Sequence, residues 1–450
     1  MSTRLPRSAV LGYAAGSVGT GGFSTLPGLV LAYYLTDTLA VPALLATLVV
    51  ILPKVWDVLI DPAVGARSDR HAATGTGRTR LMLAGALTLP VGFVGMFAVP
   101  DPLGPAAAGL WVLVFFVLAT TSFSCFQVPY IALPADLTEA YRERTRVMAW
   151  RIAVLALAIL LVGAGGPALR DAAGGGRSGY LTMALGIALL LLAGMVATVV
   201  TTRAHLRRPP TPAPADADAG GYRAGLVAWR EVAAYRVLLS VFVLQAVATG
   251  VMLAAAQYVA AYTLGDEAAL TLLFVALVAP ALLVMPLWTR YAASRGKRPA
   301  LALASGVFAV AGLGLAGMPW LPGGWVYLLV GVAGVAYAGM QLFPLAMLPD
   351  VIATAGRERG GAMSGLWTAG ETAGLALGPV VVLLLLAATG FRSSTAGEQL
   401  AQPAAAETAI VLAFSVVPAL LVALSLLVLR RYTEPAVPSS TPVPAPEGTA

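Results

Sequence analysis

Apolar stretches of about twenty residues recur along the whole chain, separated by short loops that hold nearly all of its arginines. A helix needs roughly 20 residues to cross a hydrocarbon core. The pattern therefore predicts twelve transmembrane helices, near 10–35, 43–65, 80–100, 108–132, 147–169, 179–201, 237–263, 268–290, 299–319, 325–348, 362–388 and 408–430. The longest polar interruption runs from Thr201 to about Arg236 and includes RRPPTPAPADADAGG. Proline, glycine and mixed charge predict a linker that buries no core. The expected organisation is a six-helix bundle over 1–201, a linker over 202–236, a second six-helix bundle over 237–432, and a Pro-rich disordered tail over 433–450.

The two halves echo one another. PYIALPADLTEAYRER (129–144) aligns with PLAMLPDVIATAGRER (344–359) at a constant offset, with Pro129/Pro344, Leu133/Leu348, Pro134/Pro349, Ala140/Ala355, Arg142/Arg357, Glu143/Glu358 and Arg144/Arg359 identical. A weaker echo links GRTRLMLAG (77–85) to GKRPALALA (296–304). Parallel repeats of six spans are the layout of the major facilitator fold, with the substrate path between the halves near the midplane. The fold class expected is an all-α membrane protein of two six-helix pseudo-repeats.

Composition agrees. Of 450 residues, 59% are hydrophobic and 11% charged, with a mean hydropathy of +0.84, against about 25% charged in soluble domains. The net charge of +7 does not imply a nucleic-acid partner, because 24 of the 28 lysines and arginines fall on one side of the predicted spans. By the positive-inside rule that side is cytoplasmic, with both termini, in a multi-pass protein of the cell membrane. The anionic inner leaflet is partner enough for such a charge. A single cysteine, Cys125, excludes an intramolecular disulfide, and there is no metal-ligand cysteine pair. No cleavable leader is evident, so the first apolar stretch reads as an uncleaved helix.

Ionisable residues inside the spans carry the functional signal. Lys54, Asp57 and Asp61 lie in ALLATLVVILPKVWDVLIDPAVGA at steps of three and four, which places them on one helix face. A charge at the bilayer centre costs about 2.5–3.5 kcal/mol on insertion scales. Three of them are expected to face a cavity or each other, as in an ion or proton pathway. The bland alternative is a neutral Lys54–Asp57 pair that locks helices. Glu371, among small residues in WTAGETAGLALGP, is either a cavity carboxylate or the partner of Lys54 across the halves. Trp367 shares its face; Tyr130, Gln127, Gln341 and Gln257 are further cavity candidates. His71 and His205 fall in loops and read as solvated. Asp136, Glu139, Glu143 and Glu358 sit among arginines and read as loop salt bridges.

The loop after the second span, Gly65-Ala66-Arg67-Ser68-Asp69-Arg70 with Gly77-Arg78, resembles the G-x-x-x-D-R…G-[RK] signature of the major facilitator superfamily. Asp69 can pair with arginines and Gly65 admits a close helix. With Arg70, Arg78, Arg142, Arg144, Arg357 and Arg359, they are the expected cytoplasmic gate. PKVWDVLIDPAVGARSDR then resembles the second-helix motif of the glycoside–pentoside–hexuronide:cation symporters. The likeness extends through YYLTD (Tyr33 to Asp37), VPYIAL and the PD…RERGG…W segment. It implies twelve helices, alternating access, and a coupling-cation site at Asp57 and Asp61 with Lys54, Ser124 and Gln127 nearby. Several family positions differ. The family's helix-2 Asn is Ile60, its helix-4 Asp is Gln127, and Ser124 stands for a Thr. Its sugar-contacting Asp and Trp fall on Gly21 and Ile131, and its helix-11 Lys on Glu371.

Two transport classes follow. One is symport of a small solute, glycoside-like by resemblance, with a proton or sodium; the proton is favoured because Ile60 and Gln127 leave few hard oxygen ligands. The other is movement of an amphipathic lipid or hydrophobic drug, as exporter or carrier. No nucleophile–base set, metal motif or phosphate-binding loop points to an enzyme. No cofactor is expected beyond the transported cation. The resemblance implies a monomer.

Overall fold

The computed structural model describes residues 5–73, 78–138, 141–205, 221–321, 323–355, 360–395 and 400–434. It is a bundle of α1 (Arg7–Tyr33), α2 (Ala43–Ala73), α3 (Thr79–Phe97), α4 (Pro105–Leu137), α5 (Tyr141–Ala172) and α6 (Gly176–Arg203), then a short α7 (Gly221–Glu231). A second set follows: α8 (Ala233–Tyr258), α9 (Ala269–Arg295), α10 (Lys297–Leu315), α11 (Trp325–Ala355), α12 (Gly360–Ala388), α13 (Ala404–Phe414) and α14 (Val416–Leu429). Within the first set α1 packs on α5 and α6, and α3 on α4 and α6. Within the second, α8 packs on α12 and α14, and α10 on α11 and α14. The sets meet where α2 touches α12, α5 touches α9, and α1 touches α8.

Among the described residues eleven helical segments are long and apolar enough to cross a membrane. The remaining long helix, α1, is rich in small and hydroxyl residues (GYAAGSVGTGGFSTLPG) and is the most interior, with nearly every residue from Ala9 to Tyr33 buried. A helix packed against protein all round gains little from being greasy. Small residues serve the same end elsewhere. A Cβ on Gly378 of α12 would stand 2.1 Å from the backbone carbon of Gly250 on α8, so these helices touch main chain to main chain.

Several elements differ from the sequence expectation. The linker contains α7, GYRAGLVAWRE, which turns Ala228 inward and lays Gly225 against Ala362 of α12. The last span is broken at Ser415 (φ −118°, ψ −73°), where Pro418 has no N–H to offer the Phe414 carbonyl. The ends of α4 and α11 run past the expected 132 and 348 to Leu137 and Ala355, each with its repeat prolines inside the helix, Pro129 and Pro134 or Pro344 and Pro349. The tail beyond 434 lies outside the described residues.

The repeat reappears at the opposite end of the bundle. α1 runs into a π turn, Tyr34–Thr38, and α8 into another, Val259–Thr263. Each follows a tyrosine, Tyr33 or Tyr258, and each ends in threonine. The two tyrosine rings meet edge to face at 5.3 Å, and Asp37 and Tyr262, both fourth in their turns, are hydrogen-bonded to each other. The pseudo-two-fold axis relating the halves therefore passes close to these residues.

Candidate functional site

Asp57 lies fourteen residues into α2, about 21 Å along the helix at 1.5 Å per residue. It is 9% exposed and accepts a 2.7 Å hydrogen bond from Ser124 Oγ of α4. Asp61, one turn further and half-buried, also lies within reach of that hydroxyl. Lys54 directs its ammonium over the Phe116 ring, 5.9 Å from the centroid. It forms no salt bridge with Asp57 or Glu371, so neither locking pair is made in this conformation. The structure thus brings Lys54, Asp57, Asp61 and Ser124 together on the facing sides of α2 and α4.

Some buried polar atoms on α4, α8 and α12 lack partners, Gln127 one turn from Ser124 among them. Native proteins pair nearly all buried polar atoms, so those left over mark where a solute or water can be engaged. Gln127 Oε1, both amide atoms of Gln257, and Trp367 Nε1 are buried without partners. Trp367 stacks on Phe242 at 4.4 Å. Gln341 donates to Tyr337 at 2.8 Å, and Glu371 is half-buried on α12. Tyr130 is fully buried: it donates to the Tyr13 carbonyl at 2.9 Å, pairs with Ser17 at 3.0 Å and stacks on Tyr13 at 4.6 Å. It is a joint between α1 and α4.

By its place in the sequence Arg151 counts among the basic residues of the Arg-rich side. The structure turns it inward, its guanidinium 5.2 Å over the Tyr130 ring and its Nε buried with no partner. The missed signal is its position inside the apolar run AWRIAVLALAILL, more than a turn beyond Arg146. On the facing side of α1, a side chain at Gly21 would meet Leu155 Cδ1 at 2.9 Å. The position where the resemblance puts a sugar-binding acid is thus filled with hydrocarbon.

At the Arg-rich end, Arg78 Nη1 donates to Ser68 at 3.0 Å, tying α3 to α2. A methyl on Gly65 would rest 3.7 Å from Val128, an ordinary contact, so the close approach expected there does not demand glycine. Glu143 accepts from Arg146 at 3.0 Å and from the Leu5 amide at 3.2 Å. The side chains of Asp69, Arg70, Arg142 and Arg144, and residues Arg357 and Arg359, lie outside the described residues.

At the Arg-poor end, hydrogen bonds join the halves. Tyr33 donates to Glu267 at 3.1 Å, Thr36 and Tyr258 pair at 2.8 Å, and Tyr262 donates to Asp37. The Ser394 amide donates to the Thr36 carbonyl at 2.9 Å, and Ser393 to that of Val41 at 2.9 Å. Fully buried Arg170 binds Asp171 at 2.7 Å, Tyr180 at 3.2 Å and the Glu267 carbonyl at 3.3 Å. This end of the interface is closed. Its side-chain partners on either side of the interface are separated by 97 to 352 residues, beyond the reach of any local sequence pattern.

Two six-helix sets about a pseudo-two-fold axis, with an acidic pair in the second helix, are the layout of one superfamily of carriers, and residues 12–433 match the MFS/sugar transport protein family. The chain belongs to this family. The family is one of transporters rather than enzymes, and the chain resembles the melibiose-permease-like symporters within the superfamily. An uncharacterized symporter of Synechocystis is 29% identical over 192 residues, 40% of this chain and 35% of that relative, so the shared stretch spans about a third of its length. The mouse sphingosine-1-phosphate transporter MFSD2B is 26% identical over 76% of this carrier and 71% of its own chain. Among solved structures, a D-xylose-proton symporter superposes with a TM-score of 0.65 at 14% identity, covering 95% of this carrier and 98% of that chain; this is a likeness of fold.

Proposed function

We propose that this carrier is a cation-coupled symporter working by alternating access, with its Arg-rich end in the cytoplasm and Asp57 and Asp61 as the coupling site. The observation that carries this reading is Asp57 held by Ser124, with Asp61 one turn further along α2, beside a Lys54 that forms no salt bridge with either. Two carboxylates a turn apart in a poorly hydrated site raise each other's affinity for a cation. Because α2 touches both α4 and α12, loading that pair alters the contact between the halves. Ile60 and Gln127 supply no hard anionic ligand, which favours the proton over sodium.

The substrate reading that fits best is an amphiphile with an anionic group in its head. Arg151 offers an unpartnered N–H beside Tyr13 and Tyr130, the site at Gly21 is packed with Leu155, and a relative covering most of the chain is a sphingosine-1-phosphate transporter. A glycoside would want the acid that Gly21 lacks. Purified protein in liposomes, given a lysophospholipid, a long-chain base phosphate or a galactoside under imposed proton or sodium gradients, tests both parts. Gradient-driven uptake of the phosphate-bearing lipids is expected; uptake indifferent to both gradients sinks the symport reading, and uptake of the galactoside alone sinks the amphiphile reading.

A further inference from the structure

We infer that Asp37 is a proton-binding site built into the outer gate, distinct from the coupling pair on α2, which takes a proton from the external solution when the gate closes and returns it there when the gate opens.

Asp37 sits two residues beyond the outer end expected for the first span, in the π turn Tyr34–Thr38, and is 6% exposed. One carboxylate oxygen accepts from Tyr262 of the other half and the second lies against Thr36, whose hydroxyl also pairs with Tyr258 at 2.8 Å. No cation faces it. The groups packed around it are the phenols of Tyr33, Tyr180, Tyr258 and Tyr262 and the carboxylate of Glu267. Of the three arginines at this end, Arg170 is engaged with Asp171, Tyr180 and Glu267, Arg177 with Asp101 at 3.2 Å, and Arg392 is exposed on the loop that carries Ser394. An ionised carboxylate buried without a counter-charge is costly, and taking a proton is its cheapest remedy. Protonated, it can donate to Thr36 Oγ while still accepting from Tyr262, so the network stays complete.

The energetic direction agrees. Burial, with the Glu267 carboxylate adding to it, pushes Asp37 up to about 7 against the opposing pull of its Thr36 and Tyr262 hydrogen bonds. Once the halves part and water reaches the turn, the group returns to an ordinary aspartate value of about 3.9. The closed gate thus binds one proton more than the open gate between those values. Closure is favoured at low pH, and that advantage is lost as pH rises through about 7. Linkage gives a rise of roughly 30-fold in the open-to-closed ratio between pH 5.5 and 8.5. Since the proton comes from and goes back to the same side, this site sets how often the carrier faces outward and leaves its stoichiometry unchanged. The design needs a bistable interface and a buried titratable group across it, and both are present.

The test uses the full chain in liposomes with no gradient, so its outcome is independent of the symport reading. In a Cys125→Ser background, spin labels at Ala106→Cys and Trp320→Cys, both exposed at the outer end of opposite halves, report the width of the outer gate from pH 5.5 to 8.5. The expected result is an open fraction that grows with pH in the otherwise native protein and stays low and flat in Asp37→Asn. Tyr262→Phe removes a donor to the anion, so its opening midpoint is expected at higher pH. A native protein with no pH response, an Asp37→Asn profile that follows the native one, or an unmoved midpoint in Tyr262→Phe would each overturn the assignment.

Discussion

Ser124 of α4 donates a hydrogen bond of 2.7 Å to Asp57 of α2. That contact sets the register of the two helices at the level of the acidic pair and keeps one lone pair of Asp57 occupied. Asp61, less buried, has more capacity left for a transported cation. Asp61→Asn is therefore expected to lower gradient-driven uptake at least 10-fold while solute exchange without a gradient persists. Parallel uptake and exchange assays in liposomes check this; coupling that survives would remove Asp61 from the mechanism.

Ser124→Ala leaves Asp57 one donor short. Hydrogen bonds to charged groups are worth about 1.5–3 kcal/mol, which converts to roughly 10- to 100-fold in cation affinity. The protein should still fold, since the substitution removes one oxygen and adds no volume. Half-saturating cation concentration in uptake assays is the measurement.

Arg151 is expected to act on substrate affinity more than on turnover. Arg151→Gln should raise the apparent KM for a phosphate-bearing amphiphile 10-fold or more, with a smaller change in maximal rate. Arg151→Lys should rescue only in part, because an ammonium lacks the planar fork of the guanidinium. Equal loss for neutral and anionic solutes would show a structural role at the Tyr130 ring instead.

Two glycines of α12 make opposite predictions. A Cβ at Gly378 meets the Gly250 backbone, which cannot yield, whereas one at Gly365 meets open space. Gly378→Ala is expected to cost about 1–3 kcal/mol, the usual range for overpacking, and Gly365→Ala to add about 0.5–1 kcal/mol of stability, because alanine gives up less backbone freedom in a helix. Thermal unfolding in detergent separates them.

Much of this architecture could be read from the chain because a bilayer imposes one length and one polarity on every span. The helix-2 triad was legible for the same reason: a charge in hydrocarbon stands out at any position. What escaped notice depends on distant partners. By position alone Arg151 resembles the loop arginines, yet it lies over the Tyr130 ring, and nothing in the local sequence around Arg170 announces that it is fully buried against Tyr180 and Glu267. The kink at Ser415 needed attention to one proline in an otherwise unbroken apolar run. The acidity of the YYLTD segment was visible; that it meets a phenol 225 residues away was not.

The paired π turns speak to ancestry. If one six-helix unit was duplicated, its precursor would have assembled as a symmetric dimer in which each copy's turn touched its own twin across the axis, since an isologous contact sets like against like near a two-fold. Two aspartates there could have met only by sharing a proton, and of two tyrosines only one could have donated to the other. Fusion into one polypeptide freed the twin positions to diverge, and Asp37 facing Tyr262 is an asymmetry that only a covalently joined pair of halves could inherit.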